Sequence, residues 1–298
     1  MVRAVTRFLV TGGTGQLATA LAKAAPETVR LVGRPVFDLD RLETYRTLFA
    51  DGVPDVLINA AAWTAVDAAE ASPAAAGRAN AEGPNALAAL CNRHGTRFIH
   101  ISTDYVFDGA KGAPYVETDP TCPTGVYGAT KLEGEEAVMT ELPDAVILRT
   151  AWVYAESGRN FVRTMLGAAR KTDRLRVVAD QVGCPTNADD LAHAVLAVAR
   201  RMIAPAPPAG GIYHCAGSGE TSWYEFARAI FASAGPLGWP VPEVQPIATA
   251  DWPTPARRPA DSRLDCGKLA ATFGVRLPQW QPSLQRAVAA ICAAEAVA

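Results

Sequence analysis

Near its start the chain sets a short apolar run, Phe8-Leu9-Val10, against the turn Thr11-Gly12-Gly13-Thr14-Gly15, then continues in strong helix formers from Gln16 to Ala25. Nothing else in the sequence limits the fold as much. Three residues are too few for a helix, and glycines at that density stop any element, so the segment reads as strand, tight turn, helix. Similar apolar runs recur at residues 29–32, 55–59, 97–101 and 145–149, separated by Ala-rich helical stretches at 74–95 and 131–142. Continuously apolar strands that alternate with helices need cover on both faces, which means a parallel sheet. The first half is therefore expected to be doubly wound α/β.

The second half is less regular. Residues 160–171 and 189–202 read as helices, 203–211 as a Pro/Gly connector, and 235–259, with seven prolines, as an extended loop-rich segment. Loop-rich sequence after a nucleotide-binding half either shapes a pocket or is irregular surface. At 298 residues the chain suits about two domains. With 49% hydrophobic residues and a net charge of −2, disorder and a dedicated nucleic-acid face are both excluded.

The six cysteines form no CxxC pair and none has a histidine at metal-ligand spacing, which fits free thiols in the cytoplasm. The basic N-terminus precedes an apolar run too short for a signal peptide. No run of about 18 apolar residues exists to cross a membrane. The expected location is cytoplasmic, with no membrane and no nucleic acid as partner.

Placed between strand and helix, the glycine turn has a chemical reading. Gly12 permits the turn, Gly15 lets the backbone approach a pyrophosphate, and the helix start offers unpaired N–H donors. Ala18 takes the third small position. An acid ending the second strand would select NAD, but Gly33-Arg34 stands there instead. Arg34 is either a partner for the 2′-phosphate of NADP or a solvated surface arginine. Asp38-Leu39 either meets adenosine or makes an ordinary turn.

Tyr127 and Lys131 stand four apart, one turn along the same helix face. An ammonium beside a phenol favours phenolate, and such a tyrosine can exchange a proton with a carbonyl oxygen while hydride moves at carbon. Ser102-Thr103-Asp104 follows the fourth strand, where an α/β sheet presents its ligand-facing groups. A hydroxyl there can hold the reacting oxygen and Asp104 can tune the site, although capping or turn roles are the plain alternative for both residues.

Together these residues resemble an extended short-chain dehydrogenase/reductase, through Gly12-x-x-Gly15-x-x-Ala18, Asn59-Ala60-Ala61-Ala62, STDYVFDG (102–109) and Tyr127-x-x-x-Lys131. More narrowly, the chain resembles the dTDP-4-dehydrorhamnose reductase family. The match rests on AAAWTAVDAAE (60–70), VYGATKLEGE (126–135), RTAWVYA (149–155), DQVGCPT (180–186), TSWYEFA (221–227) and WPTPARRPADSRLD (252–265).

The resemblance implies a doubly wound parallel sheet (Rossmann) with a second, smaller substrate-binding domain. The NAD(P)-binding part would be 1–150 with about 188–216, and 151–187 and 217–298 mostly the substrate-binding part. It implies NAD(P)H-dependent reduction of a 4-keto sugar nucleotide, with NADPH as cofactor and NADH as the alternative. Tyr127 would be the proton donor, Lys131 would lower its pKa and hold the nicotinamide ribose, and Thr103 would fix the substrate oxygen with Asp104 beside it. Gly15, Gln16 and Leu17 would meet the pyrophosphate, Asp38 and Leu39 the adenosine side, and Ala62, Trp63 and Thr64 the middle of the cofactor. Trp152 would face the sugar nucleotide, with Trp223, Trp252, Arg257, Arg258 and Arg263 as further aromatic and basic candidates.

Members that dimerise through Mg2+ carry acids on the first helix. Residues 16–25 have none, so no metal is expected, and Asp189 and Asp190 are the acids left to contribute. A monomer or homodimer is expected. Two alternatives stay open: a non-catalytic regulatory or binding relative, and another nucleotide-sugar reductase or epimerase.

Overall fold

The computed structural model describes residues 7–296. Residues 1–6, which hold the basic start of the stretch weighed above as a signal peptide, lie outside the described residues. Six parallel strands form the main sheet: β1 (Phe8–Thr11), β2 (Val29–Val32), β3 (Val56–Asn59), β4 (Arg97–Thr103), β5 (Val146–Thr150) and, after four short strands, β10 (Gly211–His214). The short strands are β6 (Val153–Tyr154), β7 (Arg174–Val178), β8 (Val182–Gly183) and β9 (Thr186–Asn187), and β11 (Thr221–Ser222) and β12 (Glu243–Ile247) complete the set. The sheet order is β10-β5-β4-β3-β1-β2. The order reverses between β1 and β3, and ligands of such sheets bind beyond the carboxyl ends of the strands at that point.

The helices are α1 (Gln16–Ala24), α2 (Val66–Ala71), α3 (Pro73–Gly77), α4 (Gly83–His94), α5 (Val126–Glu141), α6 (Phe161–Ala169), α7 (Ala188–Met202), α8 (Trp223–Ala234), α9 (Gly267–Phe273) and α10 (Trp280–Ala296). The long Ala-rich stretch contains a π-helical turn, Arg78–Glu82, between α3 and α4. Leu17 and Leu21 of α1 and Leu191, Val195 and Val198 of α7 share one buried cluster with Val10, Ile58 and Leu148. The other face carries Leu87 and Cys91 of α4 and Val138 of α5 against Leu57, Phe98 and Ile147. Burying each such leucine or valine stabilises the fold by about 1.5–3 kcal/mol.

The second lobe has its own core, where Val162 and Leu166, Phe226 and Ile230, and Leu284 and Ile291 bring α6, α8 and α10 together. Asn160, Asn187 and Ser222 cap α6, α7 and α8 by accepting backbone N–H bonds. The chain weaves between the lobes. After β5 it enters the second lobe, returns for α7 and β10, leaves again, and comes back once more for α9. There Leu269 and Phe273 join the sheet core and Phe273 packs edge-on to Tyr213 at 5.0 Å.

The proline-rich segment departs from expectation. Within it β12 pairs in parallel with β7, and Pro246 is tolerated because β12 has no second neighbour needing its missing N–H.

Candidate active site

A cleft of about 1170 Å³ opens beyond the carboxyl ends of β1, β3 and β4. Fifteen of the site residues named from the sequence line it, together with Trp223, while Trp252, Arg257, Arg258 and Arg263 do not. At its base the first turn has Gly12 at φ +87°, and a Cβ there would meet the Ala60 carbonyl oxygen at 2.9 Å. Only glycine gives both the backbone sign and the clearance. Gly15 is the N-cap of α1, and no side chain caps that end. Its free N–H donors face the cleft, which is the cradle a dinucleotide pyrophosphate requires.

Arg34, Asp38, Leu39 and Asp40 stand together along one stretch of the cleft lining. Arg34 pairs with Asp38 at 2.9 Å, and Arg78 lies 3.6 Å from Asp40. Two cations thus face two acids there. Arg159, by contrast, lines the cleft and pairs with no carboxylate among the described residues. No local signal in the sequence singled it out.

Chemistry concentrates where β4 ends and α5 begins. Tyr127 lies in the first turn of α5, and Gly128 lets that turn press against the β4 loop, since a Cβ would sit 2.1 Å from the Tyr105 carbonyl oxygen. The Tyr105 ring meets the Tyr127 ring edge-on at 5.6 Å. Thr103 Oγ1 accepts from the Tyr105 N–H at 3.2 Å and donates to Asp104 Oδ1 at 3.1 Å.

Burial pushes the Tyr127 phenol up to about 12, opposed by the Thr103 hydroxyl and helped by the Asp104 charge. Burial likewise raises Asp104 to about 6 against the pull of the Ser262 and Thr103 hydroxyls. One carboxylate oxygen, Oδ2, is buried without a partner. Lys131 is pulled down to about 8 by burial, with Glu135 opposing. The expected lowering of Tyr127 by Lys131 is not what these groups show. The amine points instead to the Ile101 carbonyl at 2.7 Å and His100 Nε2 at 3.2 Å.

Beneath the site lies a buried ion pair. Arg149 Nη2 and Nε grip Glu135 at 2.6 and 2.9 Å, and Ser102 donates to the same carboxylate. Asn80, in the π-helical turn, holds the cleft loop by accepting from Trp63 N–H at 2.8 Å and donating to Trp63 O at 3.2 Å. The second lobe closes on the first through Asn160 Nδ2, which donates to Gln16 Oε1 at 2.9 Å.

Trp152 lines the cleft with Trp223 stacked on it, ring centroids 3.4 Å apart and planes 4° from parallel. Of the other late candidates, Arg263 is held by Asp261 and Glu220 and is not among the lining residues. Arg258 bonds Asp67 of α2 at 2.8 Å, while Trp252 is exposed and lies outside the lining.

Among the described residues no group of three or more His, Cys, Asp or Glu could hold a metal ion. The two acids left open for one are engaged: Asp189 with Lys23 at 3.1 Å and Asp190 with Arg286 at 2.7 Å. These residues do not fit a Mg2+ site. No helix is long and apolar enough to cross a membrane among the described residues.

A family model described as RmlD substrate binding domain matches residues 6–292. A dTDP-4-dehydrorhamnose reductase of Sinorhizobium fredii is 49% identical over 288 residues, covering 96% of this chain and 97% of that protein. A Streptomyces antibioticus protein named a probable dTDP-4,6-dihydroxy-2-methyloxan-3-one 4-ketoreductase is 40% identical over 295 residues, 97% of each chain. Among solved structures, a Bacillus anthracis dTDP-4-dehydrorhamnose reductase in complex with NADP superposes with a TM-score of 0.87. It is 31% identical and covers 94% of this chain and 98% of its own.

Proposed function

The chain belongs to the dTDP-4-dehydrorhamnose reductase family, and from that premise we propose that it reduces the 4-keto group of dTDP-4-dehydro-6-deoxy-L-mannose to give dTDP-L-rhamnose, with NADPH as reductant. One observation carries this reading: Thr103, Tyr127 and Lys131 line the same cleft as the Gly12–Gly15 turn. Bound in that cleft, the reduced nicotinamide would supply a hydride.

The chain's own residues do the rest. The turn and the start of α1 would hold the pyrophosphate, with Arg159, which pairs with no carboxylate among the described residues, beside them. Asp38 and Leu39 would meet the adenosine, and Ala62, Trp63 and Thr64 the middle of the cofactor. Arg34 would have to leave Asp38 to take a 2′-phosphate. The Bacillus relative's NADP supports NADPH here, and NADH is the alternative.

Thr103 would orient the keto oxygen and Tyr127 would give it a proton as negative charge develops there. A phenol held near 12 at rest stays protonated until that moment. Lys131, as ammonium, would stabilise the phenolate left behind. Trp152 would contact the sugar nucleotide, and residues 151–187 and most of 217–298 would be the substrate lobe. Six unpaired thiols support a cytoplasmic location.

Purified protein with dTDP-4-dehydrorhamnose should consume NADPH, seen as a substrate-dependent loss of its absorbance. No such loss would sink the assignment. The Streptomyces relative's name favours one second reading, a 4-ketoreductase for a different deoxysugar nucleotide. Turnover across a panel of dTDP-linked 4-keto sugars separates the two. A purely non-catalytic binding role is opposed by the complete Thr103, Tyr127 and Lys131 set.

A further inference from the structure

His100 lies wholly buried in β4 beneath Lys131, and the reduction just described makes no use of it. Both of its ring nitrogens are engaged. Nδ1 is 3.0 Å from Asn59 Nδ2 and Nε2 is 3.2 Å from Lys131 Nζ. Asn59 Oδ1 in turn accepts from Thr11 Oγ1 at 2.6 Å and from the Ala61 N–H at 3.3 Å. A continuous buried chain therefore runs from the last residue of β1, beside the glycine turn, to the amine.

Counting hydrogens restricts what this chain can be. The Ala61 amide only donates, so Asn59 turns its oxygen that way and its Nδ2 donates to His100 Nδ1. A nitrogen that accepts carries no hydrogen, so a neutral ring has its hydrogen on Nε2, aimed at Lys131 Nζ. A neutral amine can accept that hydrogen while donating to the Ile101 carbonyl. An ammonium has three donors and no lone pair, and cannot. A doubly protonated ring is no escape, because burial and the neighbouring Lys131 hold His100 well below its ordinary pKa.

We propose that His100 and Asn59 form a tautomer-coupled seat for Lys131, which makes His100 a positioning residue for the reduction. In one state Nε2–H donates to the neutral amine. In the other, Lys131 takes a proton from solvent and donates to a bare Nε2, the ring's single hydrogen sits on Nδ1, and the Asn59 amide turns over to accept it. Thr11 Oγ1, 3.4 Å from the Ala61 N–H, remains as acceptor for that amide when Asn59 turns.

The ionisable groups acting on the amine are His100 from β4 and Glu135 from α5, while Tyr127 of α5 and Asp104 line the same cleft. Arg149 of β5 acts through Glu135. Only the ammonium state can stabilise a Tyr127 phenolate, so the seat sets the pH at which the reaction loses its cation. That last consequence rests on the reductase reading, while the coupling itself does not.

The test therefore has two arms. In 15N-histidine NMR of the wild-type protein without cofactor, His100, assigned by its loss in His100→Gln, should change from the Nδ1–H to the Nε2–H pattern as pH rises through about 8. In Lys131→Met the pattern should not change over that range. A ring that keeps one tautomer in the wild type, or that still switches in Lys131→Met, overturns the proposal whatever the protein's activity. In the second arm, Asn59→Asp presents an acceptor to Nδ1 at every pH and so favours the ammonium. The alkaline limb of kcat/KM should move up by about one pH unit. An unmoved limb in a folded Asn59→Asp protein also overturns it. Absence of any turnover alongside the expected NMR switch would count against the reductase reading alone.

Discussion

Replacing Gly183 by alanine would drive a methyl group into the indole of Trp152. The added Cβ would lie 2.4 Å from Cε2, 2.5 Å from Nε1 and 2.8 Å from Cζ2, where carbon contacts need about 3.5–4.0 Å. The ring must retreat by roughly 1 Å, but its other face is blocked by Trp223. Trp152 also sits at φ +45°, a conformation with little room to yield. Overpacking of this kind costs about 1–3 kcal/mol. If the indole positions the sugar nucleotide, a displacement of that size lowers kcat/KM by about 100-fold. The glycine turn and Arg159 lie elsewhere in the cleft, so NADPH affinity should hold. Steady-state kinetics with the sugar nucleotide, NADPH titration and a thermal melt read the three effects separately. Adding Trp223→Ala to the same background frees the far side of the ring and should recover much of the lost activity. A folded Gly183→Ala protein with wild-type kcat/KM would refute the role of Trp152. A loss that Trp223→Ala does nothing to relieve would refute the sandwich.

Tyr127→Phe removes one oxygen and should lower kcat by about 10²–10⁴ while NADPH binding and Tm stay as in the wild type; near-normal turnover would exclude Tyr127 as the acid. Asp104, raised to about 6 in the fold, stays protonated there after the unfolded chain has ionised. Its contribution is therefore most favourable below pH ~4 and is lost as pH rises to ~6, a change of about 3 kcal/mol for roughly two pH units. Asp104→Asn should accordingly gain stability relative to the wild type between pH 4 and pH 7 in urea melts, and an unchanged difference would count against the shift. Arg159→Ala should weaken NADPH binding by about tenfold or more, the value of a charge-assisted hydrogen bond. Arg34→Ala should cost less, because Asp38 already occupies that guanidinium. Equal losses in the two titrations would show that Arg159 does not serve the phosphates.

Much of the fold was legible because its signals are local. Apolar runs of four or five residues gave the strands, and the glycine turn marked the point where β1 hands over to α1. Tyr127 and Lys131 declared themselves by helical spacing. The rest depends on neighbours far apart in the chain. His100 reads as one more residue in an apolar strand until β4 brings it under a lysine 31 positions later. Asn80 sits unmarked in an Ala-rich helix, and only the packing of α5 against the π-helical turn reveals that its amide secures Trp63. Trp152 is marked by resemblance, but its fixed orientation comes from Trp223 at the start of α8 and Gly183 in β8, far apart in the chain. The proline-rich segment misled for the opposite reason: composition signals a loop, yet an edge strand has no use for the N–H that Pro246 lacks.

The weave of the chain between lobes has a consequence for how such a protein can change. No single cut divides the two lobes. A graft of a foreign substrate lobe would need junctions after β5, before α7, after β10 and on both sides of α9, each beside packed core. Exchange of whole modules is thereby closed off. A new sugar preference has to arrive as individual side chains along the cleft wall, each tested against a cofactor half that never leaves the same continuous thread.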